Sequence, residues 1–170
     1  LRDNKTNDAK DETQKVETDE SFNKVKAAGV FVLGLDDSFP PMGFRDKENN
    51  IIGFDIDLAK EVCARLGIEL KTQPISWDAK EQELNTGKID CIWNGMSVDS
   101  ARAKAMNLSD PYLKNRMIFT VKDKALANLE SLKGKKIAVQ NGSTAQKLLD
   151  ASEAGKAAKE IVPFDDNQTA

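Results

Sequence analysis

The residues able to do chemistry gather at a few points of the chain. Arg102 lies five positions past Ser97 in NGMSVDSAR. A guanidinium on the first turn of a helix can reach back over a strand end and pair bidentately with a carboxylate. Asp36, Asp37, Ser38 and Phe39 follow the apolar run VFVLGL, and Trp77 follows a second strand-like run. Trp93, Asn94, Gly95, Met96 and Ser97 close a third, while Gln140, Asn141, Gly142, Ser143 and Thr144 follow KIAVQ. This set is aromatic plus uncharged hydrogen-bonding groups, with few ions. It suits gripping a small zwitterion better than breaking a bond. The chain has no histidine, which excludes an imidazole base, a Ser–His or Cys–His pair and a His-ligated metal. Cys63 and Cys91 are too far apart for a CxxC metal or redox pair. Asp55 and Asp57 read as a helix N-terminus rather than a carboxylate pair.

Composition narrows the class. Lysine and arginine total 25 against 28 acidic residues, a net charge of −3, which lacks the basic footprint of a nucleic-acid binder. No apolar run approaches the ~20 residues of a membrane span. A chain of 170 residues has room for one compact domain or two small ones. Residues 1–20 are more than half charged, with Leu1, Ala9 and Val16 as their apolar members. Such a segment cannot offset its ordering entropy, so it reads as a solvated tether, or else a tag or frayed terminus. It lacks the apolar stretch of a signal peptide.

The elements that must position these residues alternate. VFVLGL (30–35) is a strand and DDSFPPMGFRDKENN a turn-rich loop in which Asp36 and Asp37 can also serve as turn caps. GFDIDLAKEVCARLG is a helix with Ile56, Ala59, Val62, Cys63 and Leu66 on one face, capped by Asp55 and closed by Gly67. IELKTQ (68–73), IDCIWNG (89–95) and RMIFTV (116–121) read as strands, with a short polar helix up to Gly87 and another, capped by Asp99 or Ser100, carrying Arg102. Trp93, inside a strand, reads as core. The result is β-α-β-α-β-α-β, an open α/β sheet whose ligands bind at the carboxyl ends of its strands. A lysine-rich break (121–135) leads to a second unit: strand 136–140, one helix over STAQKLLDASEAG with Ala145, Leu148, Leu149 and Ser152 on one side, and strand 160–164. The Asn141–Gly142 turn opens that helix, and its amides would suit an anion.

GFDIDLAKEV, W(77) with L(84)xxGKID, NGMSVDSARAKAMNLSDPY and LKGKKIAVQNGSTAQ together resemble the polar amino-acid solute-binding proteins of ABC transporters, over about residues 21–170. The resemblance implies the α/β, two-lobed type II periplasmic-binding-protein fold. It divides the chain into a tether (1–20), a mostly present lobe 1 (21–121), and a hinge with a partial lobe 2 (122–170). It implies that Arg102 clamps an amino acid's α-carboxylate, that Ser97 donates to it and helps hold the ammonium, and that Gly95 offers the ammonium its carbonyl. Phe39 and Trp77 become aromatic walls beside Met96, Asp36 a side-chain or ammonium contact, Thr144 a donor from the second lobe, and Gln140 the reader of the ligand's side chain. It also places the family's acidic ammonium partner beyond residue 170.

The function expected on this basis is a non-enzymatic receptor that captures a polar amino acid, glutamine-like first, and hands it to ABC permease subunits by hinge closure. It would need no cofactor and would sit at the cell surface, lipid-anchored, or in a periplasm. A ligand sensor of a signalling receptor and a dehydratase of the same fold are the other readings. The exposed strand edges of a partial second lobe would favour self-association or pairing with a complementary piece. Two packed thiols are expected at Cys63 and Cys91, although a disulfide is chemically permitted outside the cytoplasm.

Overall fold

β1 (Val30–Leu35) carries apolar side chains on both faces and takes the centre of a parallel sheet. The computed structural model describes residues 20–170, so the expected tether lies, but for Glu20, outside the described residues. β5 (Glu69–Pro74) pairs along β1 from Val30↔Glu69 to Leu35↔Pro74, and β6 (Cys91–Ile92) pairs on its other side at Leu33 and Gly34. Parallel neighbours require crossovers. α2 (Phe54–Leu66) supplies one and α3 (Lys80–Asn85) the other. Leu33, Leu35, Ile56 and Ala59 are wholly buried between sheet and α2, with Phe31, Ile51, Leu70 and Trp93 packed against them. Gly67 ends α2 as expected, at φ 67°, its amide donating to the carbonyls of Cys63 and Ala64.

Several expectations change. The stretch after β1 is not all loop: β2 (Ser38–Phe39), β3 (Gly43–Arg45) and β4 (Ile51–Ile52) form a small antiparallel sheet. Its strands are too short to show an alternating pattern, and its turn closes through Asp46 and Asn50 rather than through apolar contacts. α1 (Ser21–Ala28) buries no residue, so no apolar stripe announces it. Residues 116–121 form no strand; Ile118 is 77% exposed and neighbouring Met117 and Phe119 are also exposed. A strand needs a neighbour to pair with, and none of the described strands hydrogen-bonds to this segment. The third expected strand shortens to Cys91–Ile92.

In the second unit, β7 (Lys136–Gln140) and β8 (Glu160–Phe164) pair in parallel. The one expected helix divides into α5 (Thr144–Ala151) and α6 (Glu153–Ala157). Ser152 makes the break: its extended backbone and its Oγ, which accepts from the Gly155 amide at 3.0 Å, start a new helix. Leu149 joins Ile137 and Val139 in a small core while Leu148 faces outward. Cys63 and Cys91 are free thiols. Burial pushes both thiols up, that of Cys91 to about 11 with help from Asp90.

Asp55 does not cap α2. Gly53 holds the cap position, and Asp55 sits inside the first turn with no exposed surface. Its Oδ1 accepts from the Tyr112 hydroxyl at 2.8 Å, and that ring meets Trp93 edge-on at 6.4 Å. The bond ties the segment after α4 (Arg102–Ala105) to the first core. Burial raises the Asp55 pKa above its ordinary 3.8, the Tyr112 bond opposing it. A raised folded pKa means that the stabilisation is complete below 3.8 and is lost as pH climbs through the folded value. Denaturant unfolding of Asp55→Asn against the parent at pH 4 and pH 7 should therefore show the parent losing ground to the variant at the higher pH. An unchanged difference would contradict this account.

Candidate functional site

Each expected site residue stands where a strand or helix ends at the junction of the two sheets. Asp36 follows β1, Phe39 ends β2, and Trp77 opens a 3-10 turn (Trp77–Ala79) after β5. Gly95, Met96 and Ser97 follow β6, and Arg102 is the first residue of α4. Gln140 ends β7 and Thr144 begins α5. All nine line one cavity of about 120 Å³, joined by Asn94, Asn115, Met117, Ser143, Ala145 and Asn167. The cavity shares Phe39, Gly95, Ser97, Asn115 and Thr144 with a larger one of about 590 Å³.

Arg102 is only 6% exposed. Its Nη1 donates to the Ser97 carbonyl at 2.8 Å and to Thr144 Oγ1 at 2.9 Å, so one nitrogen joins the first sheet's loop to the second sheet's helix. Asp99 holds the backbone beneath it, accepting from the amides of Ala101 and Arg102 at 2.8 and 3.0 Å. The Arg102 amide bond keeps the Asp99 carboxyl below the usual range, with Lys147 and the Arg102 charge adding to it. The nearest Arg102–Asp99 approach is 3.9 Å, at Nε, too long for a bidentate pair. The guanidinium thus keeps a charge that its protein contacts compensate only in part.

Asp36 is both a turn cap and a cavity residue. Its Oδ1 accepts from the amide and hydroxyl of Ser38 at 2.9 and 2.5 Å, and its Oδ2 from Gln140 Nε2 at 2.6 Å. Asp37 turns away to pair with Arg45. Ser97 Oγ accepts from Asn115 at 2.7 Å, and the Gly95 amide donates to Tyr112 at 3.3 Å. Trp93 packs on the core and lines a separate cavity, as its place in a strand implied. The Asn141–Gly142 amides are not offered to an anion: they donate to the Phe164 carbonyl and to Gln146 Oε1, each at 2.8 Å. Loop closure has claimed them. Gly142, at φ 64°, lies so close to Asp78 that a Cβ there would come within 2.8 Å of its Cα.

Three polar residues escaped the sequence reading. Asn115 and Asn167 line the cavity beside Asn94, and single asparagines outside any periodic pattern give no signal. Lys80 is the third, 4% exposed. Its Nζ donates to the Trp77 and Gly142 carbonyls at 2.9 and 3.0 Å and lies 5.1 Å from the Trp77 ring centre. A lysine three residues past a tryptophan on a helical turn was the available clue. Burial, then the Arg102 charge, lowers its pKa from 10.5. Among the described residues no group of His, Cys, Asp and Glu is placed to hold a metal ion.

Comparison with known proteins follows the same lines. The L-cystine-binding protein TcyJ of Escherichia coli K12 is 28% identical over 151 residues, 87% of this chain and 56% of that protein. The ABC transporter arginine-binding protein 1 of the same strain is 32% identical over 123 residues, 72% of this chain and 51% of that protein. The crystal structure of the ancestral amino acid-binding protein AncCDT-1, a precursor of cyclohexadienyl dehydratase, superposes with a TM-score of 0.80 at 34% identity, over 88% of this chain and 67% of that one. The chain spans about half the length of the curated relatives it matches. Its arrangement of two parallel sheets flanked by helices is that of the type II periplasmic-binding-protein fold. The model of the bacterial extracellular solute-binding proteins, family 3, matches residues 31–162, and the chain belongs to that family.

Proposed function

We propose that this chain captures a net-neutral, polar amino acid for an ABC uptake system, with Arg102 as the carboxylate clamp. The supporting observation is the charge of the cavity wall. Among its lining residues Arg102 is the one cation and Asp36 the one anion, and every other polar group is neutral. An α-amino acid is a zwitterion, so its carboxylate and ammonium cancel both charges. An additional side-chain charge would be buried without a partner, which is costly. Glutamine fits first on this basis; cystine, whose distal carboxylate and ammonium would have only each other as partners, comes second. Ser97, Thr144 and the Gly95 carbonyl would orient the backbone ends between the aromatic walls Phe39 and Trp77, with Met96 beside them.

Residues 21–121 then serve as lobe 1 and residues 122–170 as hinge and partial lobe 2, and binding works by closure. Contacts between the two sheets already surround the cavity: Arg102 with Thr144, Asp36 with Gln140, Lys80 with Gly142, Asn141 with Asp78, and Lys147 with Asp99. A ligand that touches both sides favours the closed state by its differential affinity. Delivery to membrane permease subunits, an extracytoplasmic location and a lipid anchor reached through the charged N-terminal segment complete the reading.

Calorimetry against the twenty amino acids and cystine tests it: glutamine or cystine should bind more tightly than arginine or glutamate. Arg102→Ala should lose about 3 kcal/mol, roughly a hundredfold in affinity, with the fold intact by circular dichroism. Arg102→Lys should recover part of that, because an ammonium lacks the planar fork. An alanine variant binding within about threefold of the parent would remove Arg102 from the site.

Lys80 yields a pH prediction. Its lowered folded pKa places a penalty on the charged form that is present at neutral pH and relieved as pH rises toward 10.5. Unfolding measured from pH 7 to 10.5 should show the parent gaining stability relative to Lys80→Met. A constant difference would mean that the ammonium is not desolvated in solution.

A further inference from the structure

We infer that Asn167 is a specificity-determining residue of this cavity: it holds the Gln140 amide with its nitrogen toward Asp36, and so selects a ligand side chain without positive charge. The inference deepens the amino-acid reading above and rests on it for the ligand. Asn167 Nδ2 donates to Gln140 Oε1 at 2.9 Å. Gln140 Nε2 donates in turn to Asp36 Oδ2 at 2.6 Å and to the Asp165 carbonyl at 3.2 Å. A primary amide can present either end, and its neighbours decide which. The Asp165 carbonyl and Asp36 both accept only, whereas Asn167 supplies the donor that makes the oxygen end comfortable. Gln140 is 4% exposed, so a turned amide would leave buried groups unpaired, a state that costs far more than a surface mismatch.

The turn that carries Asn167 is itself fixed: Asp166 Oδ1 accepts from the amides of Gln168 and Thr169, each at 2.8 Å. The chain of donors therefore runs from the loop after β8, through the end of β7, to the end of β1. Its result is that Asp36 receives the hydroxyl and amide of Ser38 on one oxygen and Gln140 on the other. The cavity's one carboxylate already takes three neutral donors, and the single acceptor site left on Oδ2 serves the ligand's α-ammonium, so a guanidinium or ammonium side chain finds none to spare. An aspartate at position 167 reverses this. It takes the Gln140 NH₂ for itself, and the amide oxygen and Asp36 then meet as two acceptors that need a shared donor, which a cationic side chain supplies.

The test measures glutamine and arginine binding by calorimetry on the whole chain, with Gln140 side-chain NH₂ exchange followed by NMR. Asn167→Asp should shift the affinity ratio toward arginine by about tenfold, and Asn167→Ala should shift it the same way by less. Gln168→Glu, which adds the same charge on an adjacent exposed residue, should leave the ratio unchanged. A ratio that stays put in Asn167→Asp, or moves equally in Gln168→Glu, overturns the assignment. If the parent binds neither amino acid, the ligand reading falls by itself and the exchange measurement judges the relay. Slow Gln140 exchange in the parent that becomes fast in Asn167→Ala supports it; equal exchange in both overturns it.

Discussion

A buried guanidinium with incomplete compensation governs the arrangement. Arg102 is held almost out of solvent, yet its protein partners are a carbonyl and a hydroxyl, with Asp99 at 3.9 Å. Neutral acceptors stabilise a cation less than a carboxylate does, and an under-paired charge in a low-dielectric setting is unfavourable. Folding tolerates it because the helix start is anchored from below by Asp99 and because Thr144 arrives from the other sheet. The same feature makes the position receptive: an anion entering the cavity meets a charge whose desolvation is already complete.

Further hydrogen bonds and an ion pair join the two units: Asp36 with Gln140, Lys80 with Gly142, Asn141 with Asp78, and Lys147 with Asp99. The apolar clusters stay inside each unit, Leu33, Leu35, Ile56 and Ala59 in one and Ile137, Val139 and Leu149 in the other. Polar contacts exchange for water at small net cost, while separated apolar cores would not. Two units built this way can part without unfolding, as the proposed hinge closure requires. The tight approach of Gly142 to Asp78 gives the two units a definite registry, since Gly142 puts no side chain between them.

Much of this was legible in the residues alone. The apolar run 30–35, the three- and four-residue recurrence from Ile56 to Leu66, and the glycine at 67 specify strand, helix and stop through local periodicity and sterics, and these elements form as expected. Of the expected helix face only Ile56, Ala59 and Cys63 are buried, while Val62 and Leu66 are exposed. Strand ends collect ligand groups in any open α/β sheet, so Asp36, Trp77, Ser97 and Gln140 are site candidates from their place in the sequence alone. Local rules fail where a partner decides. Residues 116–121 have strand composition but no hydrogen-bonded neighbour, Asp55 has cap chemistry but points inward to Tyr112, and Ser152 divides a helix whose apolar pattern runs on. Asn115 and Asn167 carry no pattern, and Lys80 only its place three residues past Trp77. Their positions depend on which strand lies beside which, and on the distance at which a donor meets an acceptor from a residue as many as 62 positions away. Such meetings are properties of the packed chain, and only the tertiary structure sets them.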